Sequence, residues 1–404
     1  MTIEKQWLSI NPGTFVWTNK NIGLVYDSET FSSFRFKLSE RILEICNELL
    51  CPSNLNSTII TSEDFSNINT LNWINTLVNI HNLGVLSRGD NKKPVSLKPI
   101  LKLLNDADFY KYEHSNGVGG SIIKNIHELH FYINFSFFGN DIYFRQLPFP
   151  LRNGPSLGID KILQFTQYCQ NPFLLNVNLI GNLFTYPDYK ELVEKIAGVV
   201  KHVTIKITYT DFASHKEELS EQTWPQNISF NVLSDSIPSE LIGLQELNVS
   251  IFVVFLVFSE DGYNLINDLI NDKPVYRDAL IVPVYNGENI SFFEDNIYTS
   301  REDMDEIKLT KREIFIHQAL NSNDFGKLII LPDGNVYANV NFEPYGNIDD
   351  SPYSIVYKEI TKGKSWLRIR NQEPCSNCIY QWLCPSPSNY ELAIGKPNLC
   401  HIKV

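Results

Sequence analysis

Residues 374–384 read Pro374-Cys375-Ser376-Asn377-Cys378-Ile379-Tyr380-Gln381-Trp382-Leu383-Cys384, and Cys400 completes the spacing Cys375-x2-Cys378-x5-Cys384-x15-Cys400. Such a pattern brings four soft thiolates within reach of one centre, and a two-residue gap lets a single turn present two sulfurs to the same metal. The remaining cysteines, Cys46, Cys51 and Cys169, are scattered, and seven in 404 residues are too few for a disulfide scaffold. By ligand type the tail suits a 4Fe-4S cluster or a tetrahedral zinc alike, although a zinc ribbon usually has two Cys-x2-Cys knuckles and this tail has one. The plain alternative is four reduced structural cysteines in a loop containing Trp382 and Pro385. A closed four-thiolate shell leaves no open position for substrate, so its default role is structural, and it does not need His401 beside Cys400.

Upstream of the tail, Lys327-Leu328-Ile329-Ile330-Leu331 and Asn335-Val336-Tyr337-Ala338-Asn339-Val340 flank Pro332-Asp333-Gly334, the signature of a hairpin. Over 128–300, apolar runs alternate with amphipathic helical patterns. Strands are expected at 129–137, 174–180, 203–209, 228–233, 249–258 and 280–285. Between them lie Ile159/Ile162/Leu163, Tyr189/Leu192/Val193/Ile196 and Leu265/Ile266/Leu269/Ile270, with only a weak helical signal at 212–221. Strands that need crossover helices argue for a parallel sheet, and six units suggest a partial barrel.

At the amino end, Thr14-Phe15-Val16-Trp17, Leu24-Val25-Tyr26 and Ser33-Phe34-Arg35-Phe36 form a small antiparallel meander. One helical face follows with Ile42, Ile45, Cys46 and Leu49, another with Leu71, Ile74, Leu77 and Val78, closed by Gly84 as a C-terminal cap. The polar stretch 87–94 serves as a linker. The chain is therefore of the α/β class in three parts, 1–90, 100–305 and 310–404.

Bulk properties narrow the function. A net charge of −12 with dispersed cations argues against nucleic acid. The longest apolar run, 249–258, is about half a bilayer span, and the start lacks the build of a secretory signal, so a cytoplasmic protein without a membrane segment is expected. Neither His127 nor His130 has an evident acidic partner, and these two and His202 read as structural.

The Pro332-Asp333-Gly334 hairpin, with Cys375-x2-Cys378-x5-Cys384 and a distant last cysteine, resembles the SPASM domain of radical S-adenosylmethionine peptide maturases. That domain carries two auxiliary iron-sulfur clusters behind a six-unit partial barrel. Here Asn339 stands five positions after Gly334 where the family has a cysteine, and Ser388 stands where the family has another. The missing ligands are those of the first auxiliary cluster. Cys375, Cys378, Cys384 and Cys400 match those of the second, so the resemblance implies half a SPASM domain with one 4Fe-4S cluster, favoured over zinc.

The barrel shows the same loss. The defining Cys-x3-Cys-x2-Cys is absent from the chain, and the family's Gly-Gly-Glu-Pro is represented by Ile180-Gly181-Asn182-Leu183, with Asn182 in place of the acid that holds the cofactor's amino group. No catalytic residue and no S-adenosylmethionine site is expected, because nothing would supply an electron to the sulfonium. The first ninety residues resemble a winged-helix peptide-recognition element, in which a leader peptide adds a strand. Here that would place the leader on Phe34, Arg35, Phe36 and Lys37 and against Leu71 and Ile74.

As a whole the chain resembles the pseudo-radical-SAM proteins of the GG-Bacteroidales peptide systems. The resemblance implies a non-catalytic partner that binds the leader of a ribosomally made precursor and forms a heterodimer with an active radical enzyme. An unrecognised activity at the barrel mouth, or an iron-sulfur electron relay to the partner, are the competing readings.

Overall fold

In a computed structural model, residues 5–89, 92–97, 107–117, 120–236 and 249–402 are described. The expected linker positions Asp90 and Asn91, the start of the second part at residue 100 and the last two residues of the third lie outside them.

Two three-stranded antiparallel sheets build the amino-terminal unit. The expected meander is present as β2 (Thr14–Thr18), β3 (Ile22–Asp27) and β4 (Ser33–Lys37), flanked by β1 (Gln6–Ile10). The second sheet was not expected. It sets β1 between β5 (Ser57–Ile60) and β6 (Gly84–Arg88). Gly84 therefore pairs with Ile10 instead of capping a helix, and Ser87 and Arg88 belong to a strand instead of the linker. Residues 92–97 run back along the unit, where Asn56 and Ser57 side chains donate to the carbonyls of Ser96 and Pro94.

Helix Glu40–Leu50 starts at Ser39, whose hydroxyl accepts the Ile42 N–H, and buries Ile42, Ile45, Cys46 and Leu49. Helix Ile68–Asn75, capped by Asn67, continues as a π turn over Thr76–Ile80. Both helices close over a core that includes Leu8, Val16, Val25, Trp73 and Leu77.

A nine-stranded mixed sheet spans the rest. Its parallel strands are β7 (Glu128–Tyr132), β8 (Asn176–Ile180), β9 (His202–Thr208), β10 (Ile228–Ser234), β11 (Ser250–Val257) and β12 (Leu280–Pro283). They lie side by side in chain order. Crossovers of one hand stepping in one direction keep their helices on a single face. Accordingly Leu129, Phe131, Val177, Leu179, Val203, Ile205, Ile228 and Phe230 pack with Ile162, Phe165, Leu192 and Ile196 of the intervening helices. The opposite face carries Glu128, His130, Asn176, Asn178, Thr204 and Lys206, as the alternation of a strand requires.

Strand β7 stops at Tyr132, five residues short of the expected end. Beyond it, Asn134 and Ser136 turn their side chains into a polar network described below, which draws the chain out of the sheet. On the other side of β7 lies β13 (Lys327–Ile330), parallel to it, followed by antiparallel β14 (Asn335–Tyr337) and β15 (Gly346–Asn347). The Pro-Asp-Gly hairpin thus continues the large sheet. No helix among the described residues is long and apolar enough to cross a membrane.

Helix Pro352–Lys362 packs under this end of the sheet and buries Glu359 completely. One Glu359 oxygen accepts the N–H groups of Ser365 (3.1 Å) and Trp366 (2.6 Å), and the Trp366 indole donates to the Lys327 carbonyl at 3.0 Å. Burial outweighs these donors and pushes the carboxyl up to about 7. The folded state then holds a proton that the unfolded state releases, so this group favours folding most at low pH and loses its contribution as pH rises from about 4.5 through 7. The loss is on the order of 3 kcal/mol. Glu359→Gln should therefore raise stability at pH 8, leave it nearly unchanged at pH 5 and flatten the slope between, as read from urea unfolding across that range.

Candidate functional site

Strand β4 is the last strand of its sheet, and among the described residues its outer edge pairs with nothing. Phe34 and Phe36 face the helices: Phe34 stacks on His81 at 4.8 Å and Phe36 lies 5.6 Å from Trp73. A groove of about 410 Å3 runs between this strand and helix Ile68–Asn75, lined by Phe34 to Ser39 and by Asn69, Asn72, Trp73 and Thr76.

The expected helix contacts need correction. Ile74 is only 2% exposed and belongs to the core, and Leu71 is exposed but lines no part of the groove. Successive helix residues differ by about 100°, so Ile74 turns into the core while Asn69, Asn72, Trp73 and Thr76 come to line the groove.

Arg35 and Lys37 point to the other side, as alternation demands. The Arg35 guanidinium donates to the Tyr380 hydroxyl at 3.0 Å and lies 3.2 Å from Asp305. Arg35 thus joins the first unit to the cysteine loop. Around it, Phe15, Leu24 and Tyr26 pack with Met304, Ile314, Ile379 and Leu383.

The four tail cysteines line one small cavity of about 20 Å3, together with Arg370, Gln381, Asn398 and Ile402. Cys375 opens a 3-10 turn whose carbonyl accepts the Cys378 N–H at 3.0 Å. The Cys384 N–H donates to the Tyr380 carbonyl at 2.9 Å, and Cys400 is held in a bridge to Thr299. Donors already point at the sulfurs: the Ile402 N–H at Cys400 Sγ (3.3 Å) and Asn398 Nδ2 at Cys375 Sγ (3.7 Å). Burial pushes the Cys378, Cys384 and Cys400 thiols up, Cys384 to about 12, with Arg370 opposing the shift.

Among the described residues, no three His, Cys, Asp or Glu donors stand close enough to grip a single metal ion. A tetrahedral zinc, with Zn–S bonds of about 2.3 Å, would draw the sulfurs tightly together. A 4Fe-4S cluster is a larger body that holds its thiolates further apart. By chemistry the donor set, four thiols round one cavity with N–H groups aimed at two of them, suits a thiolate-bound metal group, whereas its spacing here grips none. A cavity of this size requires its walls to move outward to admit a cluster.

The positions where the resemblance expected further cysteines have other work. Asn339 is buried and fully hydrogen-bonded. Its Nδ2 donates to Asp324 (3.1 Å) and Asn389 (2.7 Å), while its Oδ1 accepts from the Asn341 N–H (2.9 Å) and Nδ2 (3.0 Å). Ser388 caps helix Asn389–Ile394 in a capping box with Glu391.

At the carboxyl end of β8, Gly181 adopts φ +136°, and a Cβ there would lie 2.2 Å from Asn134 Oδ1, so no other residue fits. Asn182 Nδ2 donates to Asp211 Oδ1 at 3.0 Å, and Thr208 (2.7 Å) and Ser136 donate to Oδ2. Asp211 was not singled out from sequence, because it lies between the expected strand 203–209 and the weak helical signal at 212–221, whereas the structure places it in helix Tyr209–Ala213. Its oxygens are occupied in joining the ends of β7, β8 and β9. Further along the sheet, Tyr143, Leu147 and Phe149 cover Leu233, Val254, Leu256 and Val284 at the ends of β10 to β12.

His130 does have an acidic partner, contrary to expectation. Glu128 Oε1 lies 2.8 Å from its Nε2, and the i,i+2 spacing on one strand face was the available signal. On the same face burial pushes the Lys206 ammonium down to about 8. His202 is exposed at the start of β9, and His127 is half-buried beside Gly326 and Phe325. His401 Nε2 stands 2.7 Å from the Glu294 carbonyl, which directs it away from the thiols.

No family model matches the chain, and no curated protein matches it. Among solved structures it is similar to Streptococcus suis SuiB. With SuiB bound to precursor peptide SuiA it shares 12% identity over 98% of this chain and 99% of that one, at a TM-score of 0.42. SuiB bound to S-adenosylmethionine gives 11% over 98% and 99%, at 0.38, and SuiB alone 13% over 98% and 100%, at 0.37. Likenesses this distant leave family and function to the residues themselves.

The junction at the cysteine loop is testable. The Tyr26 hydroxyl is buried and both donates to the Leu309 carbonyl (2.9 Å) and accepts its N–H (2.6 Å). Tyr26→Phe strands both Leu309 groups and should cost about 1–3 kcal/mol. Arg35→Ala removes a half-exposed, solvent-screened pair and should cost less than about 1 kcal/mol. Urea unfolding of the two variants orders them.

Proposed function

We propose that this chain is a non-catalytic partner of a radical S-adenosylmethionine peptide maturase, capturing the leader of a ribosomally made precursor on β4. In this reading the first unit is a winged-helix-like recognition element, the parallel strands are a partial barrel, and the tail is half a SPASM domain. Cys375, Cys378, Cys384 and Cys400 would hold one auxiliary-type 4Fe-4S cluster, which supplies a structural staple. The observation that carries the reading is the free edge of β4, grooved on its helix side and joined on its other side to the cysteine loop. A strand that lacks a neighbour can take one from another chain, with backbone hydrogen bonds giving affinity and flanking cavities giving selection.

Catalytic silence has separate support. The 404 residues contain no Cys-x3-Cys-x2-Cys. Where an acid would bind a cofactor amine, Asn182 spends its amide nitrogen on Asp211. Tyr143 and Phe149 cover part of the strand ends where ligands of parallel sheets bind. Asn339 and Ser388, in turn, are committed to hydrogen bonds a thiolate could not replace.

The test is anaerobic co-expression with a radical S-adenosylmethionine maturase and its precursor. Retention of both on the tagged chain is expected, with about four irons and four sulfides per chain that are lost in Cys375→Ala/Cys384→Ala. Release of 5'-deoxyadenosine by the isolated, iron-loaded chain would falsify the non-catalytic assignment, and failure to retain any leader would remove the peptide role.

A further inference from the structure

The cysteine loop forms a second wall opposite β4. Between them lies a cleft of about 690 Å3, lined by Asn19 to Ile22, Arg35, Phe36 and Lys37 on one side and by Arg301, Glu373, Pro374, Asn377 to Tyr380 and Ile402 on the other. Arg35, Phe36 and Lys37 also line the helix-side groove, so the two cavities flank one strand. Side chains of any segment paired with β4 alternate between faces, as those of β4 do, and each cavity receives every second residue.

The two cavities differ in chemistry. On the helix side the lining mixes the apolar Phe34, Phe36, Ile42 and Trp73 with the neutral polar Ser39, Asn69, Asn72 and Thr76. On the loop side it includes four cations, Lys20, Arg35, Lys37 and Arg301, against one carboxylate, Glu373, which accepts from Asn377 at 2.6 Å. Arg35 is engaged by Asp305 and Tyr380, whereas Lys20, Lys37 and Arg301 have no ion pair among the described residues. In a chain of net charge −12 this is a local reversal of sign, and a cleft of one sign concentrates ligands of the other.

We infer that the strand received by β4 is acidic on one face, with carboxylates on the cysteine-loop side and uncharged side chains on the Trp73 side. The inference rests on the peptide-capture reading and specifies its chemistry. It also makes the cysteine loop part of the recognition surface, since Pro374, Cys378 and Ile402 line both the cleft and the thiol cavity.

Fluorescein-labelled heptapeptides of alternating leucine and glutamate, or of alternating leucine and lysine, distinguish the cases by anisotropy with the full chain. The glutamate peptide should bind at least about tenfold tighter, and its advantage should shrink as salt is raised. Lys37→Glu/Arg301→Glu exchanges two exposed side chains, so its circular dichroism should match the parent, and its preference should reverse. Equal or tighter binding of the lysine peptide overturns the charge inference while leaving peptide capture intact. Binding of the glutamate peptide that the double variant does not weaken also overturns it, because the carboxylates then lie elsewhere. If neither peptide binds, capture on β4 itself fails.

Discussion

The first unit and the tail are held together through one buried hydroxyl and the apolar surface around it. Tyr26 closes both backbone groups of Leu309, and Phe15 and Leu24 beside it bury against Met304, Ile314, Ile379 and Leu383. Each such side chain contributes roughly 1.5–3 kcal/mol on burial, whereas the half-exposed Arg35–Asp305 pair contributes at most about 1 kcal/mol. Apolar packing therefore fixes the junction, and Arg35 adds direction to it. Because the junction holds β4 beside the cysteine loop, the unpaired strand edge and the thiol cavity become parts of one surface separated by a single cleft.

A second constraint is the chain order of the parallel strands. With helices confined to one face, the other face must be closed by loops and by polar side chains paired among themselves, and both occur. Gln146 exchanges hydrogen bonds with the Tyr285 backbone (2.7 and 2.8 Å), holding the 133–151 segment across the far strands. Nearer β7, Glu128 gathers His130 and Asn178. These arrangements stabilise the sheet with interactions that occupy its interior, whereas among the described residues the outer edge of β4 stays unpaired.

The tail sets a buried polar cluster beside a cavity lined by four thiols. Asn339, Asp324 and Arg368 form a buried polar knot, in which desolvation raises the Asp324 carboxyl and Arg368, 3.6 Å away, opposes the shift. Within it the Asn339 side chain has all its hydrogen-bonding groups paired, while Arg368 Nε is left without a partner. Elsewhere in the tail the four thiols line one cavity.

Local pattern in the amino-acid sequence was enough to specify the meander, the six parallel strands, the Pro332-Asp333-Gly334 turn and the grouping of Cys375, Cys378, Cys384 and Cys400, because each depends on neighbours within a few residues or on alternation along one element. It could not show that β1 recruits β5 and β6 into a second sheet or that β13 joins β7. Least of all could it place Arg35 against Tyr380, 345 positions away. Those facts depend on which surfaces meet once the chain is compact. Period-two and period-3.6 patterns say which side of an element is apolar, but only tertiary packing decides what that side is buried against.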